Sequence, residues 1–208
     1  MAIARTKLFD PVQNPWIHAI SRCVRRAHLC GGRDGTFDHR KDWMEERLEL
    51  LTRVFACEIA SYAVMSNHLH VVLRMCPAEV ATWSADAVAR RWLSIFPRKY
   101  LSDGTPVLPD EATIARLAQD AAWVALRRVR LADLSWFMRS LKEPIARRAN
   151  REDGCTGAFW EGRFDSIPLL DQPALMACMA YVDLNPVRAR MAATPEGSRH
   201  TAARQRIR

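Results

Sequence analysis

The sequence predicts an α+β fold built on an antiparallel sheet with helices on one face. Three observations carry this. Residues 57–65 and 68–75 alternate around a Ser66-Asn67 turn, the pattern of a β-hairpin. Apolar residues recur at helical spacing over 38–55 and 133–151. The hairpin's second strand has an unbroken apolar row, Leu69, Val71, Leu73 and Met75, suited to a layer of helices.

In chain order, Trp16 to Cys23 reads as the first strand, after an irregular lead-in over residues 1–14. Gly31, Gly32 and Gly35 mark a loop. A helix follows from about Asp38 to Phe55, with Trp43, Met44, Leu48, Leu51 and Phe55 on one side. After the hairpin, residues 77–130 read as an inserted helical segment. Ser84 caps its first helix, a turn-rich loop with Asp103-Gly104 spans Pro97 to Pro109, and a second helix runs from Asp110 through Val124. Asp133 caps the next helix, in which Pro144 predicts a kink or an early end. Phe164 to Leu170 reads as the fourth strand. The last helix starts near Pro173 and is expected to stop at Pro186, leaving a flexible basic tail after about residue 192.

Composition narrows the partners. The chain has 208 residues, 49% hydrophobic and 26% charged, enough for one soluble domain with a sizeable core. Net charge is +8, and only four of the 31 basic residues are lysine (Lys7, Lys41, Lys99, Lys142). Arginine's planar fork matches phosphate oxygens, so the balance favours nucleic acid as a partner. The alternative is that high-GC coding raises arginine and alanine together. Met1 to Asp10 lacks the apolar core of a signal peptide, and no stretch approaches a membrane span. Six scattered cysteines without Cys-x-x-Cys pairs suit a reduced, cytoplasmic protein. Cys23, His28 and Cys30 lack an evident fourth ligand for zinc.

Two short stretches carry chemistry. His68 and His70 are two apart on a strand and project to the same face, in line with Val72 and Arg74. Tyr181 and Asn185 are four apart on a helix and are neighbours on one side of it. If the two faces meet, two imidazoles and an amide oxygen suit a divalent cation, Mg²⁺ or Mn²⁺, beside a phenol nucleophile. Each stretch alone has an ordinary explanation, as packed histidines and a core-edge tyrosine. Candidate nucleic-acid contacts are Arg22, Arg25 and Arg26 after the first strand and Arg147, Arg148 and Arg151 at a helix end. Trp160 and Arg163 in a glycine-punctuated loop and Arg188 complete the set. The arginines at the helix end are equally explained by the helix dipole, and the loop aromatics by plugging the core.

The motifs together resemble one family. His68-Leu69-His70 is similar to the His-hydrophobic-His motif of HUH single-strand endonucleases, and Tyr62 to Asn67 resembles the approach to it. Ala180 to Arg188 resembles the tyrosine motif of REP-associated tyrosine transposases, and Phe159 to Phe164 resembles that family's Trp-x-x-Arg-Phe segment. The resemblance covers about residues 15–192, with 77–130 as an addition; Ser66 stands where proline is frequent in relatives. It implies a ferredoxin-like fold. It implies attack of Tyr181 on single-stranded DNA to leave a 5′-phosphotyrosine and a free 3′-hydroxyl, with His68, His70 and Asn185 holding the metal. It also implies hairpin-forming repeat DNA as substrate, a monomer or homodimer, and a bacterial cytoplasmic, nucleoid-associated location. The rival readings are a domesticated hairpin-binding protein or repressor that does not cut, and an RNA-binding domain on the same sheet.

Overall fold

The structure, a computed structural model, describes residues 16–32, 35–99, 101–102 and 106–207. The lead-in over 1–14 and the Asp103-Gly104 turn lie outside the described residues. Two compact units divide the chain: residues 1–48, 58–74 and 141–208 form the first, and 49–57 with 75–140 form the second.

The first unit is built on four antiparallel strands: β1 (Trp16–Arg22), β2 (Cys57–Val64), β3 (His68–Met75) and β4 (Asp165–Leu169). Their order in the sheet is β2-β3-β1-β4. Helix α1 (His39–Val54) lies between β1 and β2 in sequence, and α6 (Leu134–Glu152) precedes β4. This is the ferredoxin-like βαββαβ arrangement. The Ser66-Asn67 turn closes the hairpin, with Met65 N–H donating to His68 O at 2.8 Å.

Pairing fixes the two faces. Arg22 sits opposite His68, Ile20 opposite His70, His18 opposite Val72 and Trp16 opposite Arg74. Directly opposed residues share a face, so His18 joins the histidine face. The other face carries Ile17, Ala19, Leu69, Val71 and Leu73, each at most 1% exposed. Met44 and Leu48 of α1 and Leu141, Ile145 and Ala149 of α6 are the matching buried helical stripes of this unit. One helix departs from that layering. Helix α7 (Gln172–Arg188) lies on the histidine face, with Leu175 and Val182 in one core cluster with Ala63, Met65, Val72 and Leu169.

The two helical prolines do less than their local chemistry predicts. Helix α6 continues through Pro144 to Glu152, and α7 continues through Pro186 to Arg188. Proline removes one backbone hydrogen bond; in α6 burial on both sides of the break holds the helix together, and in α7 the proline stands only two residues before the helix end. Leu141, Ile145 and Ala149 are buried around Pro144, and Pro186 is itself buried beyond Val182.

The segment after Met191 is packed, contrary to the expected loose tail. Thr201 bridges to Ala63 beside β2, and Val64 N–H donates to His200 O at 2.9 Å. A short helix α8 (Ala202–Ile207) follows, whose Arg206 donates to Ala60 O at 2.8 Å. The unpaired edge of β2 would otherwise be exposed, which is the physical reason for the docking.

The second unit is helical: α2 (Pro77–Thr82), α3 (Ala85–Ile95), α4 (Glu111–Ala118), α5 (Ala121–Arg130) and the first turns of α6. Ser84, Asp110, Asp120 and Asp133 each accept a backbone N–H three residues on, capping α3, α4, α5 and α6. The single helix expected from Asp110 to Val124 therefore splits at Gln119-Asp120, because Asp120 starts a new one. Phe55 and Phe137 meet edge-on in its core at 5.4 Å between ring centroids.

Candidate functional site

The sheet register and the docking of α7 bring the two chemical stretches together. Val182 is fully buried against the sheet, so Tyr181 and Asn185 on either side of it are carried over the histidines. Ser61 of β2, itself buried, donates to Asp183 at 2.7 Å and fastens the same helix turn. Asp183 also pairs with Arg206 of α8.

The resulting contacts form a chain of donors. The Asn185 amide N–H donates to His70 Nε2 at 2.9 Å, across 115 residues of sequence. That nitrogen therefore holds a lone pair, and the proton of His70 sits on Nδ1. His70 Nδ1 lies 2.8 Å from His18 Nε2 and donates to it. His68 is held in the same way: its Nδ1 faces Asn67 Oδ1 at 2.6 Å. Asn67 is fixed in turn, because its amide nitrogen donates to Arg26 O at 3.0 Å. Both histidines of the pair thus have Nδ1 engaged by a protein partner. The rings of His68 and His70 are 4.7 Å apart, and Tyr181 stands edge-on to His70 at 5.9 Å and to His18 at 6.2 Å. Tyr181 is 42% exposed, so its ring is reachable from solvent while its neighbours are buried.

Burial sets the charge state. It pushes the pKa of His18 down to about 4. Burial, then the charges of Arg22 and Arg26, pushes His68 down to about 4. Burial, then the neighbouring histidines and Arg22, pushes His70 down to about 3. All three imidazoles are neutral at pH 7, the state in which a ring nitrogen can ligate a metal.

The candidate arginines and Trp160 separate into two groups. Arg22 and Arg26 act electrostatically on His68, and Arg22 also pairs with Asp165. Arg25 and Arg26 form a left-handed turn, φ 53° and 54°, and both are exposed. The Arg188 guanidinium lies 5.4 Å from the Tyr181 ring centroid. The rest are engaged elsewhere or lie in the solvent. Arg147 pairs with Glu143, Arg148 stacks on Trp43 at 3.8 Å, and Arg151 and Arg163 are exposed. Trp160 departs from the expected stacking role. It is 9% exposed and its indole N–H donates to Lys142 O at 3.0 Å, so it plugs the core beside β1. Cys23 and Cys30 are buried free thiols with sulfurs 3.8 Å apart.

His18 and Asn67 are the residues that sequence reasoning missed. The alternation Trp16, His18, Ile20, Arg22 was the available signal, but only the β1–β3 register places His18 beside His70. A second group with ligand atoms within 4.8 Å is Asp42, Glu45 and His200. There Glu45 already accepts from Tyr62 at 2.7 Å and meets His200 Nδ1 at 2.8 Å, an arrangement that fastens the C-terminal segment to α1.

Among the described residues no helix is long and apolar enough to cross a membrane. No protein-family model and no curated protein sequence matches the chain. A solved structure does: a REP-associated tyrosine transposase bound to a REP hairpin, with TM-score 0.51 and 13% identity, covering 94% of this chain and 79% of that one. The chain has the fold of that REP-associated tyrosine transposase.

Proposed function

We propose that this protein is a divalent-cation-dependent single-strand DNA endonuclease and strand transferase acting on hairpin-forming DNA, with Tyr181 as nucleophile. The carrying observation is the meeting of Tyr181 and Asn185 with His68 and His70 on one face, within a single chain. The neighbour's REP hairpin and the arginine-rich composition support DNA as the substrate.

The donor set fits a divalent cation. His68 and His70 are neutral, their Nδ1 atoms are engaged, and His70 Nε2 faces Asn185, whose amide oxygen is a hard ligand. A Mg²⁺ or Mn²⁺ ion held by these three would neutralise phosphate charge and polarise the phosphorus. His18 and Asn67 act behind the ligands as positioning residues, holding the tautomers that leave each Nε2 unprotonated. Tyr181 attacks the phosphorus through its phenolic oxygen and loses its proton. The bond from phosphorus to the 3′ oxygen breaks, that oxygen is protonated, and the 5′ phosphate stays on Tyr181. Arg188 beside the phenol, and Arg22 and Arg26 beside His68, supply positive charge where the strand passes. An RNA-binding sheet needs an open aromatic face, whereas here α7 lies on it.

Incubation with a single-stranded hairpin and Mn²⁺ is expected to give a covalent adduct that survives denaturing electrophoresis. Tyr181→Phe is expected to abolish it. An adduct that persists in Tyr181→Phe overturns the assignment. Tight, salt-sensitive binding without any adduct would reduce the protein to a hairpin binder.

A further inference from the structure

The helical unit carries an alternating ladder of indoles and guanidiniums. Arg127 lies 4.5 Å from the Trp123 ring centroid, one turn earlier on α5, and 5.5 Å from that of Trp92 on α3. Arg130 lies 5.7 Å from Trp92 and 4.2 Å from Trp136 on α6. Arg139 continues the series at 5.1 Å from Trp136. Trp92 is buried and packs against Phe96 and Trp136, which gives the ladder a fixed base. Trp123, Arg127, Arg130 and Trp136 are half-buried, and Arg139 is exposed.

The charges of Arg127 and Arg130 are not balanced from within the ladder. Among the described residues, no carboxylate pairs with Arg127 or Arg130, and Arg127 Nε is buried without a hydrogen-bond partner. Burial, followed by the charge of Arg130, weakens the hold of Arg127 on its proton, against a smaller pull from Asp120. Other arginines of the unit are satisfied: Arg90 by Asp86 and Glu111, Arg91 by Arg53 O, Arg128 by Val80 O. Two adjacent cations sharing one indole repel each other, and an external anion between them removes the repulsion. The contacts run in series from Trp123 through Arg127, Trp92, Arg130 and Trp136 to Arg139, with Trp92 and Trp136 also touching at 5.5 Å, and the outer indoles are partly exposed. Several charges interleaved with flat rings fit a chain of phosphates and unpaired bases better than one isolated anion.

We infer that Arg127 and Arg130, stacked on Trp92, Trp123 and Trp136, form a second DNA contact that grips the phosphodiester backbone of a single strand flanking the hairpin. The inference rests on the reading of this protein as DNA-binding, and not on cleavage.

The test uses the full chain with Tyr181→Phe, so that no strand is cut. Affinity for a hairpin with a long single-stranded flank, and for the same hairpin without it, is followed by fluorescence anisotropy over a range of NaCl concentrations. Two contacts to a single strand contribute about −1.4 to the slope of log K against log salt. The pair Arg127→Gln/Arg130→Gln is expected to lose that much on the flanked hairpin and nothing on the bare one, while Arg127→Lys/Arg130→Lys keeps the slope. An unchanged slope in a folded glutamine pair overturns the proposal. Should that pair unfold, Arg130→Gln alone is expected to lose about 0.7, and no loss overturns it equally. A matched RNA flank bound tenfold tighter than the DNA flank overturns the assignment to DNA. Adduct formation by the Tyr181-intact chain on the bare hairpin is read separately: its absence counts against the nuclease reading, and the slopes still decide the ladder.

Discussion

His18 Nε2 and His70 Nδ1 share one proton over 2.8 Å, and the Asn185 amide on the far side of the His70 ring decides which of them holds it. Removing the acceptor at position 18 frees the His70 ring to rotate and to change tautomer. His18→Phe is therefore expected to weaken Mn²⁺ affinity by roughly 10- to 100-fold, the usual effect of losing such a partner. His18→Gln, which keeps an acceptor at similar reach, is expected to stay near wild type. Electron paramagnetic titration of free Mn²⁺ measures both. Wild-type affinity in His18→Phe, alongside lost affinity in His70→Ala, contradicts the positioning role; unchanged affinity in both variants contradicts the metal site itself. Local spacing made His68, His70, Tyr181 and Asn185 legible, since i+2 on a strand and i+4 on a helix need no tertiary knowledge. His18 was not legible, because a shift of one residue in register would turn it to the opposite face.

At the scale of elements, the ends of α1 and α6 are tied by a buried cation. Arg40 is fully buried, donates from Nε to Glu152 at 2.7 Å, and reaches Asp153 and Leu29 O with its remaining nitrogens. Phe37 covers it at 3.9 Å. Truncation leaves Asp153 without its cation, and Glu152 with His39 as its remaining side-chain partner among the described residues. Arg40→Ala is expected to lower unfolding free energy by about 3–5 kcal/mol, and Arg40→Lys to restore only part of it, because an ammonium does not span three acceptors. Urea denaturation measures this, and a loss below about 1 kcal/mol would contradict the role. The periodic apolar patterns foretold the four strands and the main helices. Pro144 and Pro186 misled: the local penalty of Pro144, about 3 kcal/mol, is smaller than the burial flanking it in α6, and Pro186 is itself buried in the last turn of α7.

For the molecule as a whole, three neutral histidines, His18 and His70 buried and His68 half-buried, make stability depend on pH. Their folded pKa values, about 4 for His18 and His68 and about 3 for His70, lie below the unfolded value of 6.5. Between those values the unfolded chain binds more protons than the folded one. Their contribution is thus complete above pH 6.5 and is lost as pH falls toward 4 and below, by at most about 1.4 kcal/mol per pH unit for each group. Denaturation at pH 7.5 and 5 is expected to show this fall, and His70→Asn to reduce it. A wild-type protein more stable at pH 5 than at 7.5 contradicts the argument. The same burial keeps the site neutral amid an arginine excess that gives the chain its +8 charge.

The amino-acid order by itself determined the four strands and the main helices, the caps at Ser84 and Asp133, the helix start at Asp110, and the paired motifs, because each depends on neighbours a few residues away. Tertiary structure alone decided that β1 lies between β3 and β4, that α7 crosses the histidine face, that Trp160 is a core plug, and that the last residues dock beside β2. Those outcomes depend on register and on competition for buried surface between segments far apart in the chain. Local periodicity carries no record of either.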